Sequence, residues 1–206
     1  MTFSHNFDAT SLREYDIRGI VGKTLSAEDA FAIGRTFGSM VRRNGGRTLV
    51  VGYDGRLSSP MLEEALVQGA VECGLEVTRV GRGPTPMLYY ASATLEADGA
   101  IMVTGSHNPP DYNGFKMMLA GKPFFGAQIK ELGELSAQGN VVAREDGSVR
   151  EAAVRDEYVA RLVQAYVGGS RKLNIVWVNG NSSAGQILEH LVAALPCEHI
   201  VPRPPL

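Results

Sequence analysis

Between Thr104 and Lys116 the chain reads TGSHNPPDYNGFK. Two glycines and two prolines fix the path of this stretch, while a hydroxyl, an imidazole, two amides, a carboxylate and an ammonium crowd its interior. A loop of that composition is most often only a polar turn closed by Asn-Pro. The density of reactive side chains sets this one apart, with Ser106 as the candidate nucleophile. His107 is a poor base for it, because adjacent side chains in an extended loop point to opposite sides. The G-x-S-x-G elbow of acyl-transfer enzymes is missing as well, since Gly105 precedes the serine directly and Asn108, not glycine, stands two residues after it. Phosphoryl transfer to and from Ser106 asks instead for an in-line approach, cations, and a group to manage the hydroxyl proton. A phosphoserine carries about −1.5 to −2 charges at neutral pH, and Lys116 and Arg18 are the cations expected to offset it.

The elements that must position these groups follow from the hydrophobic pattern. Residues 99–104 (GAIMVT) form a buried strand, so the serine loop lies at a strand's carboxyl end, where open α/β sheets hold their ligands. Residues 48–53 (TLVVGY) and 75–80 are further strands, and 115–119 is the hairpin neighbour of 99–104. Ser26-Ala27-Glu28-Asp29 has the form of a capping box, followed by Ala30, Ile33, Phe37 and Val41 at helical spacing. A second helix starts at Ser59-Pro60 with Leu62, Leu66, Ala70 and Cys73 on one face, and a short one covers 87–95. Strands alternating with helices predict an α/β fold, a mostly parallel mixed sheet sandwiched between helices. The polar stretch 136–147 reads as a linker. Beyond it Val154, Tyr158, Leu162 and Tyr166 mark a helix, then 173–178 a strand, 184–195 a helix and 199–201 a strand. The predicted organisation is one complete domain over 1–145 and the incomplete start of a second over 151–206.

Composition narrows the function classes. The 206 residues correspond to one to one and a half domains of roughly 150 residues. With 44% hydrophobic and 20% charged residues the chain is globular and not disordered. Twenty Lys+Arg against 22 Asp+Glu give a net charge of −2, which argues against a nucleic-acid partner held by a basic face. No apolar run is long enough to span a bilayer, and residues 1–8 lack the basic and apolar regions of a signal peptide, so no membrane partner and a cytoplasmic location are expected. Cys73 and Cys197 stand in no metal or redox spacing and read as reduced, buried thiols. His5, His190 and His199 each sit without a second ligand at metal spacing. The turn Gly180-Asn181-Ser182-Ser183-Ala184-Gly185 lacks GxGxxG and reads as a tight strand-to-helix connection.

The loop TGSHNPPDYNGFK resembles the phosphoserine loop of the α-D-phosphohexomutases, most closely their bacterial phosphomannomutase/phosphoglucomutase branch. Leu12-Arg13-Glu14-Tyr15-Asp16-Ile17-Arg18-Gly19 is similar to that family's opening R-E-Y-D-I-R-G motif. Gly52-Tyr53-Asp54-Gly55-Arg56-Leu57-Ser58-Ser59-Pro60 is similar to its D-x-R-x-S-S loop, and Gly83-Pro84-Thr85-Pro86-Met87 supplies a fourth match in order. The resemblance implies an isomerase that interconverts hexose 1- and 6-phosphates through a phosphoserine at Ser106 and a hexose 1,6-bisphosphate, which also serves as activator. It implies Lys116 as general acid/base, Arg18 and His107 as aids to proton handling and charge stabilisation, and Tyr15, Arg18 and Lys116 at the sugar phosphate. It implies Mg²⁺ bound by the serine phosphate and a D-x-D-x-D-R loop, and mannose and glucose phosphates as substrates. Asp54 and Arg56 are expected to brace the loop rather than to touch substrate.

The chain departs from the family pattern after the first domain. The family's V-V-D-x-G-N-G-x-A-G turn appears here as Val176-Trp177-Val178-Asn179-Gly180-Asn181-Ser182-Ser183-Ala184-Gly185, with Val178 for the aspartate and Ser182 for the second glycine. No D-x-D-x-D-R loop is present. The expectation is therefore an N-terminal portion of such a mutase, with negligible turnover by these residues alone. The alternatives are a truncated module without catalysis, or a serine-dependent phosphatase or hydrolase using Ser106.

Overall fold

The structure is a computed structural model that describes residues 3–169, 171–180 and 182–202. Met1, Thr2, Asn181 of the 180–185 turn and the Pro-rich ending at 203–206 lie outside the described residues. Strand β1 (Ile17–Ile20) is followed by α1 (Ala27–Arg43), β2 (Thr48–Tyr53), α2 (Ser59–Val71), β3 (Glu76–Arg82) and α3 (Thr85–Thr94). Then come β4 (Gly99–Val103), β5 (Tyr112–Leu119), β6 (Lys122–Phe124), α4 (Ala127–Ala137), β7 (Ser148–Glu151) and α5 (Arg155–Gln164). The last elements are β8 (Asn174–Val176), α6 (Gly185–Ala194) and β9 (Glu198–Ile200).

Seven strands make one sheet in the order β1-β5-β4-β2-β3-β7, with β6 also paired to β5. β4, β2, β3 and β7 are mutually parallel, and β5 is antiparallel to β1, β4 and β6. Six strands thus run one way and β5 alone opposes them, which is the mostly parallel mixed sheet that the sequence predicts. The short apolar runs explain the layering. Leu49 and Val51 of β2, with Ile101 and Val103 of β4, face a core shared with α1, α2 and α4. Val50, Ala100 and Met102, the alternate residues, face a second core shared with α3 and α5. Strands covered on both faces have no polar side to show, so they read as continuous hydrophobic runs.

The predicted capping box forms: the Ser26 hydroxyl accepts from the Asp29 amide at 3.2 Å, and the Asp29 carboxylate accepts from the Ser26 amide at 2.7 Å. Several elements differ from their predicted bounds. The segment 136–147 does not begin as a linker, since Ser136 is fully buried in the last turn of α4 and its hydroxyl donates to the His5 carbonyl. β7 follows it and extends the main sheet beside β3. α5 then packs on α3, with Tyr158 against Tyr90 at 5.6 Å between ring centroids, while Tyr166 lies past the helix end and is exposed. Cys73 is buried, but Cys197 is only half-buried. Burial pushes the Cys73 thiol above its ordinary pKa. Among the described residues no helix is long and apolar enough to cross a membrane.

Candidate active site

The serine loop leaves β4 at Thr104 and returns as β5, and it is held from beneath by Asp54 at the end of β2. Asp54 Oδ2 accepts from the Thr104 hydroxyl at 2.9 Å and the Gly105 amide at 3.1 Å. Asp54 Oδ1 accepts from the Arg56 amide at 3.0 Å and the Ser59 hydroxyl at 2.6 Å. Arg56 closes the loop from the side. Its Nη1 donates to the carbonyls of Pro109 (2.6 Å) and Tyr112 (2.9 Å), and its Nη2 to those of Asn108 (2.7 Å) and Ser106 (3.2 Å). One planar guanidinium thereby gathers four carbonyls of the loop. The buried Asn113 at the far end donates to both Ser58 and Ser59 at 2.9 Å. Asp54 and Arg56 do brace the loop, as expected.

This frame forces an uncommon backbone on the nucleophile. Ser106 has φ of +54°, a left-handed conformation that costs a non-glycine residue roughly 1–2 kcal/mol. Its amide donates to the Thr104 hydroxyl at 2.9 Å, and its side chain stands exposed at the loop tip. The loop is therefore not extended at Ser106, and the expectation that Ser106 and His107 point apart fails for that reason. Ser106 Oγ lies 3.4 Å from His107 Nδ1, a long contact for an O–H···N hydrogen bond.

Around Ser106 the chain assembles Arg13, Tyr15, Asp16, Arg18, His107, Asn108 and Lys116 as the walls of a cleft of ≈ 290 Å³. All five sequence-predicted site residues, Ser106, His107, Lys116, Arg18 and Tyr15, meet here. β1 and β5 bring Arg18 and Lys116 together by register, since Arg18 pairs with Gly114 two residues from Lys116. Arg18 is buried, donating from Nη1 to the Gly105 carbonyl at 2.7 Å and from Nη2 to Asp16 Oδ2 at 2.5 Å. Lys116 Nζ lies 3.4 Å from the same Asp16 oxygen. Tyr15 is 73% exposed and stacks on Phe125 with ring centroids 6.4 Å apart. A small cleft lined by Arg13, Arg18 and Lys116 with one buried carboxylate favours an anionic ligand. Sequence reading did not assign Arg13, Asp16 or Asn108 to the site, although Arg13 and Asp16 lie in the same short stretch as Tyr15 and Arg18. A second cleft of ≈ 400 Å³ borders the other side of the loop, where Ser182 and Ser183 approach Asp54, Arg56 and Ser106.

These residues do not make a Mg²⁺ site by themselves. Among the described residues no three His, Cys, Asp or Glu side chains come together as metal ligands. Asp16, which lines the cleft, and Asp54, beneath the loop, are engaged by cations, amides and hydroxyls.

Residues 9–140 match the family model described as phosphoglucomutase/phosphomannomutase, alpha/beta/alpha domain I. The chain is 44% identical over 192 residues to a phosphomannomutase/phosphoglucomutase of Pseudomonas aeruginosa, an alignment covering 93% of this chain and 41% of that protein. It is 40% identical over 184 residues to a phosphoglucomutase of Neisseria meningitidis serogroup B, covering 89% of this chain and 40% of that protein. A crystal structure of a phosphoglucomutase/phosphomannomutase family protein from Burkholderia thailandensis superposes with a TM-score of 0.88 at 42% identity, over 95% of this chain and 44% of that one. The chain thus spans about two-fifths of the length of the relatives it matches.

Proposed function

The chain belongs to the phosphoglucomutase/phosphomannomutase family, and from that membership we propose that it is the serine-bearing, N-terminal part of a hexose phosphate mutase. In this reading Ser106 carries a phosphoryl group and passes it to a free hydroxyl of a hexose 1- or 6-phosphate. The Oγ–P bond breaks as the sugar O–P bond forms, and the hydroxyl proton leaves to a base. The resulting hexose 1,6-bisphosphate turns over and returns its other phosphoryl group to Ser106, with the proton restored to the newly freed hydroxyl. Lys116 is the group proposed to move that proton. Arg18 and His107 offset the charge, and Tyr15 meets the sugar at the rim. Mannose and glucose phosphates are the proposed substrates, with Mg²⁺ as the metal of the complete site and hexose 1,6-bisphosphate as activator. A phosphate on Ser106 would give a metal one ligand, and the remaining ligands would come from outside the described residues.

The observation that supports this reading best is the exposed Ser106 hydroxyl held in a left-handed turn, with Lys116 and Arg18 sharing its cleft. A preorganised loop beside fixed cations is what phosphoryl transfer needs, since positioning and charge stabilisation supply most of its catalysis. Peptide mass spectrometry of the full-length enzyme should find one phosphate within residues 104–116, and Ser106→Ala should lose both the phosphate and glucose 1-phosphate to glucose 6-phosphate conversion. A fully active Ser106→Ala enzyme rules the mechanism out. Lys116→Met should fold and lose roughly 10²–10⁴ in turnover, the scale of a lost general acid/base. These 206 residues alone should show negligible turnover with Mg²⁺ and the bisphosphate, and robust conversion would refute that.

A further inference from the structure

The phosphoserine reading assigns tasks to Ser106, Lys116 and Arg18 but none to Asp16, the buried carboxylate between the two cations. Asp16 sits at the foot of a tight turn whose ends are joined by the Leu12–Ile17 bridge and by the Arg13 amide donating to the Asp16 carbonyl at 3.0 Å. Its side chain is only 11% exposed, against 4% for Arg18 and 30% for Lys116. One oxygen, Oδ2, receives Arg18 Nη2 at 2.5 Å and faces Lys116 Nζ at 3.4 Å. The other end of the same guanidinium, Nη1, is bonded to the Gly105 carbonyl, the residue before the nucleophile. The contacts therefore run without a break from the serine loop through Arg18 and Asp16 to the lysine ammonium.

The two cations need this carboxylate unequally. Arg18 is a planar fork, fixed at two points and enclosed by protein. Lys116 is a point charge on a flexible four-carbon stem that leaves β5 opposite Met102. Without a tether its ammonium would sample much of the half-open cleft, and proton transfer requires the group within hydrogen-bond reach of the reacting hydroxyl. We propose that Asp16 is the positioning residue of Lys116, transmitting the fixed location of the serine loop to the lysine ammonium through Arg18. This rests on the phosphoserine mechanism above and adds to it a residue that acts through Lys116.

A purely structural Asp16–Arg18 ion pair is the competing account, and a double-mutant cycle in the full-length enzyme separates the two. Asp16→Asn keeps the side-chain volume and removes the charge. Its kcat should fall about 10–100-fold, the scale seen when a supporting partner of a reactive group is lost, with KM nearly unchanged. In a Lys116→Met background the same substitution should lower kcat by no more than about twofold, the scatter of independent sites. Equal losses in the two backgrounds overturn the proposal, as does an Asp16→Asn enzyme with the wild-type kcat. Should Asp16→Asn fail to fold, Asp16→Glu keeps the charge and shifts it by one methylene, and the same cycle is read with that variant. An active Ser106→Ala enzyme would instead remove the phosphoserine mechanism itself, so the two failures are distinguishable.

Discussion

The guanidinium of Arg56 occupies the space that a side chain on Gly105 would fill. The loop glycine and the clamp thus require each other: a bare backbone at Gly105 admits the arginine, and the arginine then gathers the carbonyls of Ser106, Asn108, Pro109 and Tyr112. Gly105→Ala should expel the clamp. Arg56→Lys should do almost as much damage, because an ammonium cannot match a planar fork. Both should lower kcat by about 10²-fold, the cost of a misplacement near 1 Å, and hydrogen exchange should show faster amides across residues 105–112. Unchanged exchange in Arg56→Lys would contradict the clamp.

The left-handed backbone of Ser106 separates two inactive variants. Ser106→Ala keeps the unfavourable φ of +54°, whereas Ser106→Gly adopts it freely. The glycine variant should unfold at a higher urea midpoint than the alanine variant, corresponding to about 1 kcal/mol of stability. Neither should carry phosphate.

Helices α1 and α2 touch through glycine. A methyl group on Gly34 would meet the Leu66 carbonyl, and one on Gly69 the Phe31 carbonyl, both well inside van der Waals contact. Backbone cannot move aside as a side-chain tip can. Gly34→Ala and Gly69→Ala should each destabilise the fold by about 1–3 kcal/mol, the range for overpacking, despite the better helix propensity of alanine. Urea unfolding of the two variants checks this.

Glu63 is fully buried on α2 and pairs with Arg79 of β3, Oε1 accepting from Nε at 2.8 Å. Burial pushes its carboxyl above the ordinary value near 4.5, opposed by the bonds to Arg79. A carboxyl raised on folding holds its proton more tightly in the native state. Its charged form therefore weakens stability as pH rises from the unfolded value through the folded one. Removing the partner enlarges that effect. Arg79→Ala should cost about 3–5 kcal/mol at neutral pH, and part of the loss should be recovered at pH values near or below 4.5, where Glu63 is neutral. Equal losses at both pH values would show that the pair contributes through packing alone.

The parallel strands β2, β3 and β4 and the helices α1, α2 and α3 are legible in the chain because each is written in short-range pattern: apolar runs, helical stripes, a capping box. β6, α4 and β7 are not. β6 is three residues with a central proline, α4 starts from Gly126 without a side-chain cap, and β7 is exposed at every position. β7 buries nothing, and β6 and α4 each place only one to three buried residues (Phe124; Ile129, Leu132 and Ser136), too few to write a periodicity. The site shows the same division. The reactive loop and its cations stand in two contiguous motifs, but the conformation of Ser106 is imposed by Asp54 and Arg56 from another strand end.

What the sequence alone determined is the inventory: a serine in a glycine- and proline-fixed loop after a buried strand, with Arg18, Lys116, His107 and Tyr15 available to it. Only the tertiary structure decided how those groups are held. Lys116 and Asp16 are separated by 100 positions, and Arg18 and Gly105 by 87. No local propensity reaches that far. The pairing of β1 with β5 and of β5 with β4 sets the separation of these residues to a few ångströms, and strand register, fixed by the two buried faces of the sheet, makes one carboxylate serve both cations.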